Sequence, residues 1–432
     1  MTSRFAHPDR LRRHRFLPPL VGLLSLGSYV AQAQSTPDYE QPPVSYSATA
    51  AQDAVTLLQR RLSSGALAFP GDDRAVLKAV LRELKVPVES QVAVFSKTSL
   101  QRGRITPSRP RVLYFSDSAY VGWVPGGLIE VTTIDPQLGP IFYSFDPQEA
   151  RGAAPTFVRD SDCLRCHGGN FVRGVPGVFA RSVVTSDTGE PLLRHGSEIV
   201  DDETPFENRW GGWYVTGYTG ALNHRGNVFG SERGDQLVFE LTARRPTELS
   251  EFFDTTRYLA PTSDVVALLV FEHQMAMQNS LTRAAHSARK MFDYQRSLQK
   301  TFGDPFTDEP AYDSVKSVIN GAVEDVVDHL LFRRAAVLPA GVVGSDKFRR
   351  IFVAEAPRSR AGHALKDFQS RERLFAQRCS FLIYSEMFAA LPRQLKTRIL
   401  DRLHAALHDD DPRGRYAYLE REEKRRNLRH SR

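Results

Sequence analysis

The sequence predicts an α+β protein in which a β-rich central domain is followed by a helical C-terminal part. Residues 88–259 contain short runs of β-branched and aromatic residues separated by Gly, Pro, Asn and Asp, which is typical of strands joined by turns. From residue 261 onward, apolar residues recur three and four positions apart, which indicates amphipathic helices. Apolar residues make up 41% of the chain, so a sizeable core can form without a disulfide framework.

The first 33 residues have the pattern of a secretory signal peptide. Five arginines precede an apolar run over residues 16–30, and Ala31-Gln32-Ala33 matches a small-x-small cleavage site. A spanning helix needs about 20 apolar residues, so the run is short for a membrane anchor, although an uncleaved anchor stays open as the alternative. We expect an exported protein, periplasmic in a Gram-negative bacterium, with no transmembrane segment after signal cleavage.

The charge balance gives no indication of nucleic-acid binding. The chain carries a formal +7, but residues 1–33 hold five Arg against one Asp, which leaves a mature protein of about +3. Part of this charge lies in a basic tail from Pro412, where eight Lys or Arg accompany three Glu. We expect this tail to be a solvated helix end.

The remaining elements follow in order. Residues 34–50 are rich in Pro and Ser and predict a linker. Residues 51–260 are predicted to be the α+β domain, which begins with two short helices over 51–62 and 72–84, before the strands. Residues 261–432 form the predicted helical C-terminal region. Its helical patterns cover Ser263–Lys300, Asp313–Leu338 and Lys366–His408, the last broken at Pro392.

A C-x-x-C-H motif lies within the predicted strand region. Two of the three cysteines, Cys163 and Cys166, stand three positions apart, and His167 follows directly. This is the attachment pattern of a c-type haem. The two thiols can add to the vinyl groups on one porphyrin edge, and the adjacent imidazole is a common proximal ligand of haem iron. Covalent attachment takes place after export, which agrees with the predicted signal peptide.

Other interpretations of the motif have less support. A structural zinc site takes four ligands, whereas the remaining cysteine, Cys379, is more than 200 residues away. A redox dithiol is expected in a βαβ context, which is not predicted around residue 163. A disulfide between Cys163 and Cys166 would close a very small loop. Cys379 lies on an apolar pattern and is predicted to be a buried free thiol.

The ligand on the other side of the iron decides the function, because an open position binds small molecules and a filled one favours electron transfer. The candidates are His224 in a Gly-rich polar loop and His273 on an apolar helical stripe. Met275 and Met277 are possible thioether ligands, and a vacant position stays open. Further candidate contacts are arginines for the propionates and aromatic walls. These are Arg159, Arg165, Arg173, Arg181, Trp210, Trp213 and Tyr214.

Several segments together resemble a family of exported bacterial proteins that carry one c-type haem motif. They are CLRCHGG, GVPGVFARSVV, RWGGWYVTG followed by His224-Arg-Gly-Asn, and the flanking VFSKTSLQR, YVGWVPGGLIE and VALLVFEHQ. The resemblance covers about residues 85–290. It implies a single covalent haem on Cys163, Cys166 and His167, and implies no particular activity. The motif followed by paired strands is also weakly similar to haem-bearing PAS-like sensor domains.

These observations predict a β-rich haem domain that is not an ordinary small all-α cytochrome c domain. The expected function is electron transfer through one covalent haem c, with exported or membrane-bound electron-transfer proteins as partners. The alternatives are a haem enzyme of peroxidase type with an open distal site, and a haem-based gas or redox sensor.

Overall fold

The computed structural model describes residues 36–69, 71–151, 155–234, 236–240, 246–338, 341–408, 411 and 414–428. Pro37–Arg432 forms one compact unit, so the change of texture near residue 260 is a change of secondary structure within one body. The predicted signal peptide, residues 1–33, lies outside the described residues.

The predicted α+β class is confirmed. The strands are β1 (Val92–Val94), β2 (Arg111–Phe115), β3 (Ala119–Trp123), β4 (Ile129–Asp135), β5 (Gly139–Phe145), β6 (Val158–Arg159), β7 (Ala180–Ser182), β8 (Glu198–Val200), β9 (Trp213–Tyr214), β10 (Phe229–Arg233) and β11 (Gln236–Glu240). Seven of them form an antiparallel sheet in the order β6-β5-β4-β3-β2-β1-β9. The pairs β7–β8 and β10–β11 form two small separate sheets.

The helices cover the two faces of the large sheet. They are α1 (Ala54–Ser63), α2 (Asp73–Glu83), α3 (Leu164–His167), α4 (Val265–Phe302), α5 (Asp313–Leu330), α6 (Asp346–Ala354), α7 (Glu386–Ala389), α8 (Arg393–Leu407) and α9 (Arg421–Leu428). Because successive side chains of a strand point to opposite faces, β2 sends Val112 and Tyr114 into one core and Leu113 and Phe115 into the other. The first core contains α1 and α2, and the second contains α4 with the C-terminal helices.

Helix α4 is the central support of the second core. It runs for 38 residues and is capped not by Ser263, where the predicted helical pattern begins, but by Asp264, whose side chain accepts from the Ala267 N–H. Ser263 instead donates to the Tyr214 carbonyl at 2.6 Å and ties the helix start to β9. Gln274 and Gln278 fix the helix against the sheet, because both bond to the Tyr120 hydroxyl on β3.

The linker predicted over residues 34–50 is wrong for the described part of that segment. Tyr39, Val44 and Tyr46 are all buried, and the Tyr46 hydroxyl donates to the Pro140 carbonyl at 2.7 Å. Arg159 donates to the carbonyls of Tyr46 and Thr49. The segment therefore packs on the sheet through its buried aromatic side chains, although its composition is rich in Pro and Ser.

Two C-terminal predictions are also corrected. Residues 366–385 do not continue a helix, because the Gln369 side chain accepts from three successive backbone N–H groups and turns the chain. Helix α8 begins directly after Pro392, where the break was predicted.

The tail is not a solvated end over Arg421–Leu428, since Glu423 is buried and accepts from the Arg378 N–H at 2.9 Å. Among the described residues, no helix combines the length and apolar character needed to cross a bilayer.

A buried histidine on α4 predicts a specific loss of stability in acid. The His286 Nε2–H donates to the Leu138 carbonyl at 3.1 Å at the end of the β4–β5 hairpin. Burial, assisted by Arg289, lowers the pKa of His286 to about 4, whereas the unfolded chain has a pKa near 6.5. The unfolded state therefore binds an extra proton between these values, and stability falls as the pH drops from 6.5 to 4.

We expect proton binding by His286 in the unfolded state to lower the free energy of unfolding by about 3 kcal/mol as the pH falls from 7 to 4. His286→Gln keeps a donor for the Leu138 carbonyl but does not titrate. Urea unfolding at both pH values should show a smaller acid loss for this variant, by about that amount. Equal acid losses in the two proteins would refute the assignment.

Candidate functional site

The C-x-x-C-H motif lies at the wall of a large cavity. Cys163 precedes the short helix α3, and Cys166 and His167 lie within it, so one helical turn brings the three residues to the same side. All three line a cavity of about 1030 Å³. The structure therefore places the three residues of the motif around one space.

The rest of the cavity wall comes from the sheet face that α4 also covers. Alternate residues of β2–β5 form its floor, including Arg111, Tyr120, Glu130 and Phe142. Trp213 on β9 and the α4 residues Phe271 and Met275 complete the apolar part. A loop over residues 96–103 supplies a polar wall with Lys97 and Arg102. The cavity is large enough for a cofactor, since small-molecule sites run to about 1,000 Å³.

His167 is held in one orientation and one tautomer. Its Nδ1–H donates to the Gly177 carbonyl at 2.8 Å, and its own carbonyl accepts from the Gly177 N–H at 2.8 Å. The ring packs between Phe142 and Phe179, with centroid distances of 4.7 and 4.6 Å. With the hydrogen on Nδ1, the lone pair is on Nε2, which is the arrangement of a metal-binding histidine.

The charge state of His167 also suits metal binding. Burial is the largest effect and lowers the pKa of His167 to about 4, although the bond to the Gly177 carbonyl opposes the shift. The imidazole is therefore neutral at pH 7. A neutral ring with a free Nε2 lone pair can coordinate iron without first losing a proton.

Helix α4 fixes the backbone that holds His167. The Asn279 side chain accepts from the Val178 N–H at 2.9 Å and donates to the Val178 carbonyl at 2.7 Å. Val178 directly follows Gly177, so these two hydrogen bonds fix the Gly177 carbonyl that orients His167. A Cβ at Gly177 would come within 2.7 Å of the Asn279 Oδ1, which explains the glycine.

Gly168 has a structural role in the protein itself. A Cβ at this position would collide with the Tyr39 hydroxyl and approach the Leu164 carbonyl to 2.9 Å. Gly169 has no comparable neighbour. The segment before α1 therefore packs against the motif, which no pattern in the sequence indicated.

Both motif cysteines are free thiols, and Cys163 has little thiolate character. Burial is the main cause that raises the pKa of Cys163 to about 12, and Asp160 and Glu130 add to it. Zinc sites and redox dithiols both use thiolates, so the surroundings of Cys163 favour neither interpretation. Within the described parts of the chain, no group of three or more Cys, His, Asp or Glu side chains is arranged to hold a metal ion. Cys379 is confirmed as a buried free thiol.

The two histidines proposed as distal ligands lie elsewhere. The His273 Nδ1–H donates to Asp202 at 2.7 Å, and its Nε2 is 2.8 Å from the Ser380 hydroxyl, so both ring nitrogens have partners. It lines a separate cavity of about 280 Å³. His224 packs edge-on against Trp210, and its Nδ1 accepts from the Gly226 N–H. Neither residue lines the cavity at the motif, and neither prediction is matched by the structure.

The hydrogen-bond chain through His273 has the connectivity of a Ser-His-Asp triad. However, Ser380 is completely buried, and its hydroxyl also accepts from the Leu382 N–H at 3.3 Å, where it caps a short 3₁₀ turn. The ring of His273 is stacked on Phe332 at 4.1 Å. A nucleophile must be reachable by its substrate, so this chain of side chains is structural.

Only some of the suggested cofactor contacts are placed at the cavity. Arg181 and Trp213 line it, as proposed. Trp210 instead donates to Glu272, and the Tyr214 hydroxyl donates to the Pro107 carbonyl, away from the motif.

Arg111 was not predicted from the sequence as a site residue, yet it lies over Gly122 on the cavity floor and pairs with Glu130. Its Nε is buried without a hydrogen-bond partner among the described residues. A guanidinium in this position suits a carboxylate ligand.

No family model, no curated protein and no solved structure matched this chain in comparisons with known proteins. The chemistry of the site is therefore argued from its own residues. Those residues fit a covalent haem on three counts. Both thiols face one cavity, the imidazole beside them is neutral and oriented, and cationic side chains line the walls.

Proposed function

We propose that this protein is an exported c-type haem protein that transfers electrons through one covalently bound haem. Cys163 and Cys166 hold the porphyrin as thioethers, and His167 is the proximal iron ligand. The observation that carries the proposal is the placement of a neutral, hydrogen-bonded His167 beside both thiols at the wall of a cavity of about 1030 Å³. A bound haem supplies an iron that changes between the ferric and ferrous states.

The chain's own residues limit what changes when an electron arrives. His167 is held by the Gly177 carbonyl and by the rings of Phe142 and Phe179, which limits its movement. The apolar part of the wall around Phe142, Trp213 and Phe271 excludes water from that side of the cavity. Arg181 provides positive charge for the propionates, and Arg111, whose charge is paired with Glu130, offers its Nε–H as a donor. A fixed imidazole beside an apolar wall lowers the reorganisation that electron transfer requires.

The mouth of the cavity has the features of a docking surface for a redox partner. Leu100, Phe171 and Leu193 line it and are 62%, 47% and 54% exposed. Arg102 is exposed beside them, and the Arg165 side chain projects from the motif with 79% of its area exposed. Asp162 and Glu190 line the same cavity and are also exposed, so charges of both signs surround the apolar centre of this surface. The proposed partners are electron-transfer proteins that are exported or membrane-bound.

The covalent attachment can be measured directly. We expect the mature protein, produced in a host able to mature c-type cytochromes, to gain the mass of one haem and to give the reduced pyridine spectrum of a haem with two thioether bonds. Replacing both Cys163 and Cys166 with Ala removes the attachment. Cys379→Ala is the matched control, because this thiol is buried away from the cavity and its loss should leave haem loading unchanged.

A folded wild-type protein without the added mass would overturn the proposal. Carbon monoxide binding by the loaded, reduced protein then separates electron transfer from the second candidate function. An iron that binds carbon monoxide freely favours a haem enzyme of peroxidase type or a gas sensor, whereas a filled position favours the carrier.

A further inference from the structure

The cavity wall contains few side chains that can act as a second iron ligand. Haem iron in proteins is commonly bound by histidine, cysteine, methionine or tyrosine. Apart from the motif itself, three of the described residues that line the cavity belong to these types, namely Tyr120, Tyr143 and Met275. The amine of Lys97, which also lines the cavity, is paired with Glu190 at 2.7 Å. The two tyrosines and the methionine differ sharply in whether their ligating atom is already in use.

Both tyrosine hydroxyls are engaged. The Tyr120 hydroxyl donates to Gln278 at 2.5 Å and accepts from Gln274 at 2.9 Å. The Tyr143 hydroxyl donates to Asp53 at 2.8 Å. Iron ligation by tyrosine requires the phenolate, and burial raises the pKa of both residues. Neither tyrosine is therefore available to the iron without breaking polar contacts inside the core.

Met275 has none of these obstacles. It is 2% exposed and lines the cavity, and its thioether needs no proton to be lost before it binds iron. Its backbone position is fixed, because the preceding Gln274 donates to the Ser116 carbonyl and to Tyr120 on the sheet. Met277, two residues later, is completely buried but does not line the cavity.

The same helix also fixes the proximal side. Asn279 follows Met275 by one helical turn and holds Val178, whose neighbour Gly177 orients His167. We infer that the sulfur of Met275 is the second axial ligand, so that α4 both carries one ligand and positions the other. This inference rests on the proposed function. It adds that the iron is six-coordinate, which favours electron transfer over peroxide chemistry and raises the reduction potential.

The test compares Met275→Leu with Met277→Leu in the haem-loaded protein. Both changes conserve side-chain volume, so both variants should fold. We expect Met275→Leu to lose the low-spin ferric spectrum and the long-wavelength charge-transfer band of a methionine-ligated haem. It should also gain carbon monoxide binding and shift its reduction potential downward. Met277→Leu should match the wild type in all of these measurements.

A second measurement does not depend on the variants. The proton NMR spectrum of the reduced wild-type protein should contain a methionine methyl resonance shifted far upfield by the porphyrin ring current. The inference is overturned if haem is attached but this resonance is absent, or if Met275→Leu leaves the spectrum and potential unchanged. Failure of the proposed function itself would give a different result, namely a folded protein with no added haem mass.

Discussion

Replacing Glu272 with alanine is expected to lower the free energy of unfolding by about 3–5 kcal/mol, because it leaves a buried cation without its counter-charge. Glu272 and Arg209 are 1% and 2% exposed, and their side chains meet at 2.7 Å. The second carboxylate oxygen accepts from the Trp210 Nε1–H at 2.7 Å. The change therefore breaks two buried bonds at once. Chemical unfolding of the apo protein measures the loss.

The matched control is an ion pair of the same length at the surface. Arg398 and Glu309 are also 2.7 Å apart, but their side chains are 37% and 67% exposed. Glu309→Ala should cost at most about 1 kcal/mol, because solvent screens exposed pairs. Glu272→Gln should fall between the two, since it keeps acceptor and shape but loses the charge. If Glu272→Ala costs no more than Glu309→Ala, the buried pair does not stabilise this core.

The motif was predictable from sequence because its geometry is local. One helical turn places Cys163 and Cys166 on the same side, and His167 follows without any tertiary information. The orientation of His167 needed the structure, since it depends on Gly177, ten residues later, and on Asn279 in a distant helix. The contact of Tyr39 with the motif also depends on tertiary structure, and no pattern in residues 34–50 indicated it.

The distal prediction failed for a physical reason that is visible in α4. His273 was predicted as a ligand because it lies on an apolar stripe that was expected to be the one buried face of the helix. In the structure, residues 271–278 of this helix are all buried. A helix enclosed on every side has no solvent face from which to infer direction. His273 and Met275 are two residues apart, so they point to nearly opposite sides of the helix. His273 meets Asp202 and Ser380, while Met275 reaches the cavity.

The second large effect is expected at Asn279. Asn279→Leu removes both bonds to Val178 and leaves a backbone N–H and a carbonyl unsatisfied, at about 1–3 kcal/mol each. We expect a total loss of about 4 kcal/mol in the free energy of unfolding. Asn279→Asp keeps the acceptor for the Val178 N–H but not the donor for its carbonyl, so it should cost about half as much.

Stability alone does not separate a support for His167 from an ordinary buried amide, so a control on the same helix is needed. The Gln295 side chain also bonds to distant backbone groups, donating to the carbonyls of Thr307 and Glu309 and accepting from the Ala311 N–H. Gln295→Leu should therefore destabilise the protein as strongly as Asn279→Leu, yet leave the absorption spectrum and reduction potential of the haem-loaded protein unchanged. Only Asn279→Leu should alter them, because only Asn279 fixes the carbonyl that orients the imidazole. If both variants leave the spectrum and potential intact, the Asn279–Val178 contact supports the fold without positioning His167.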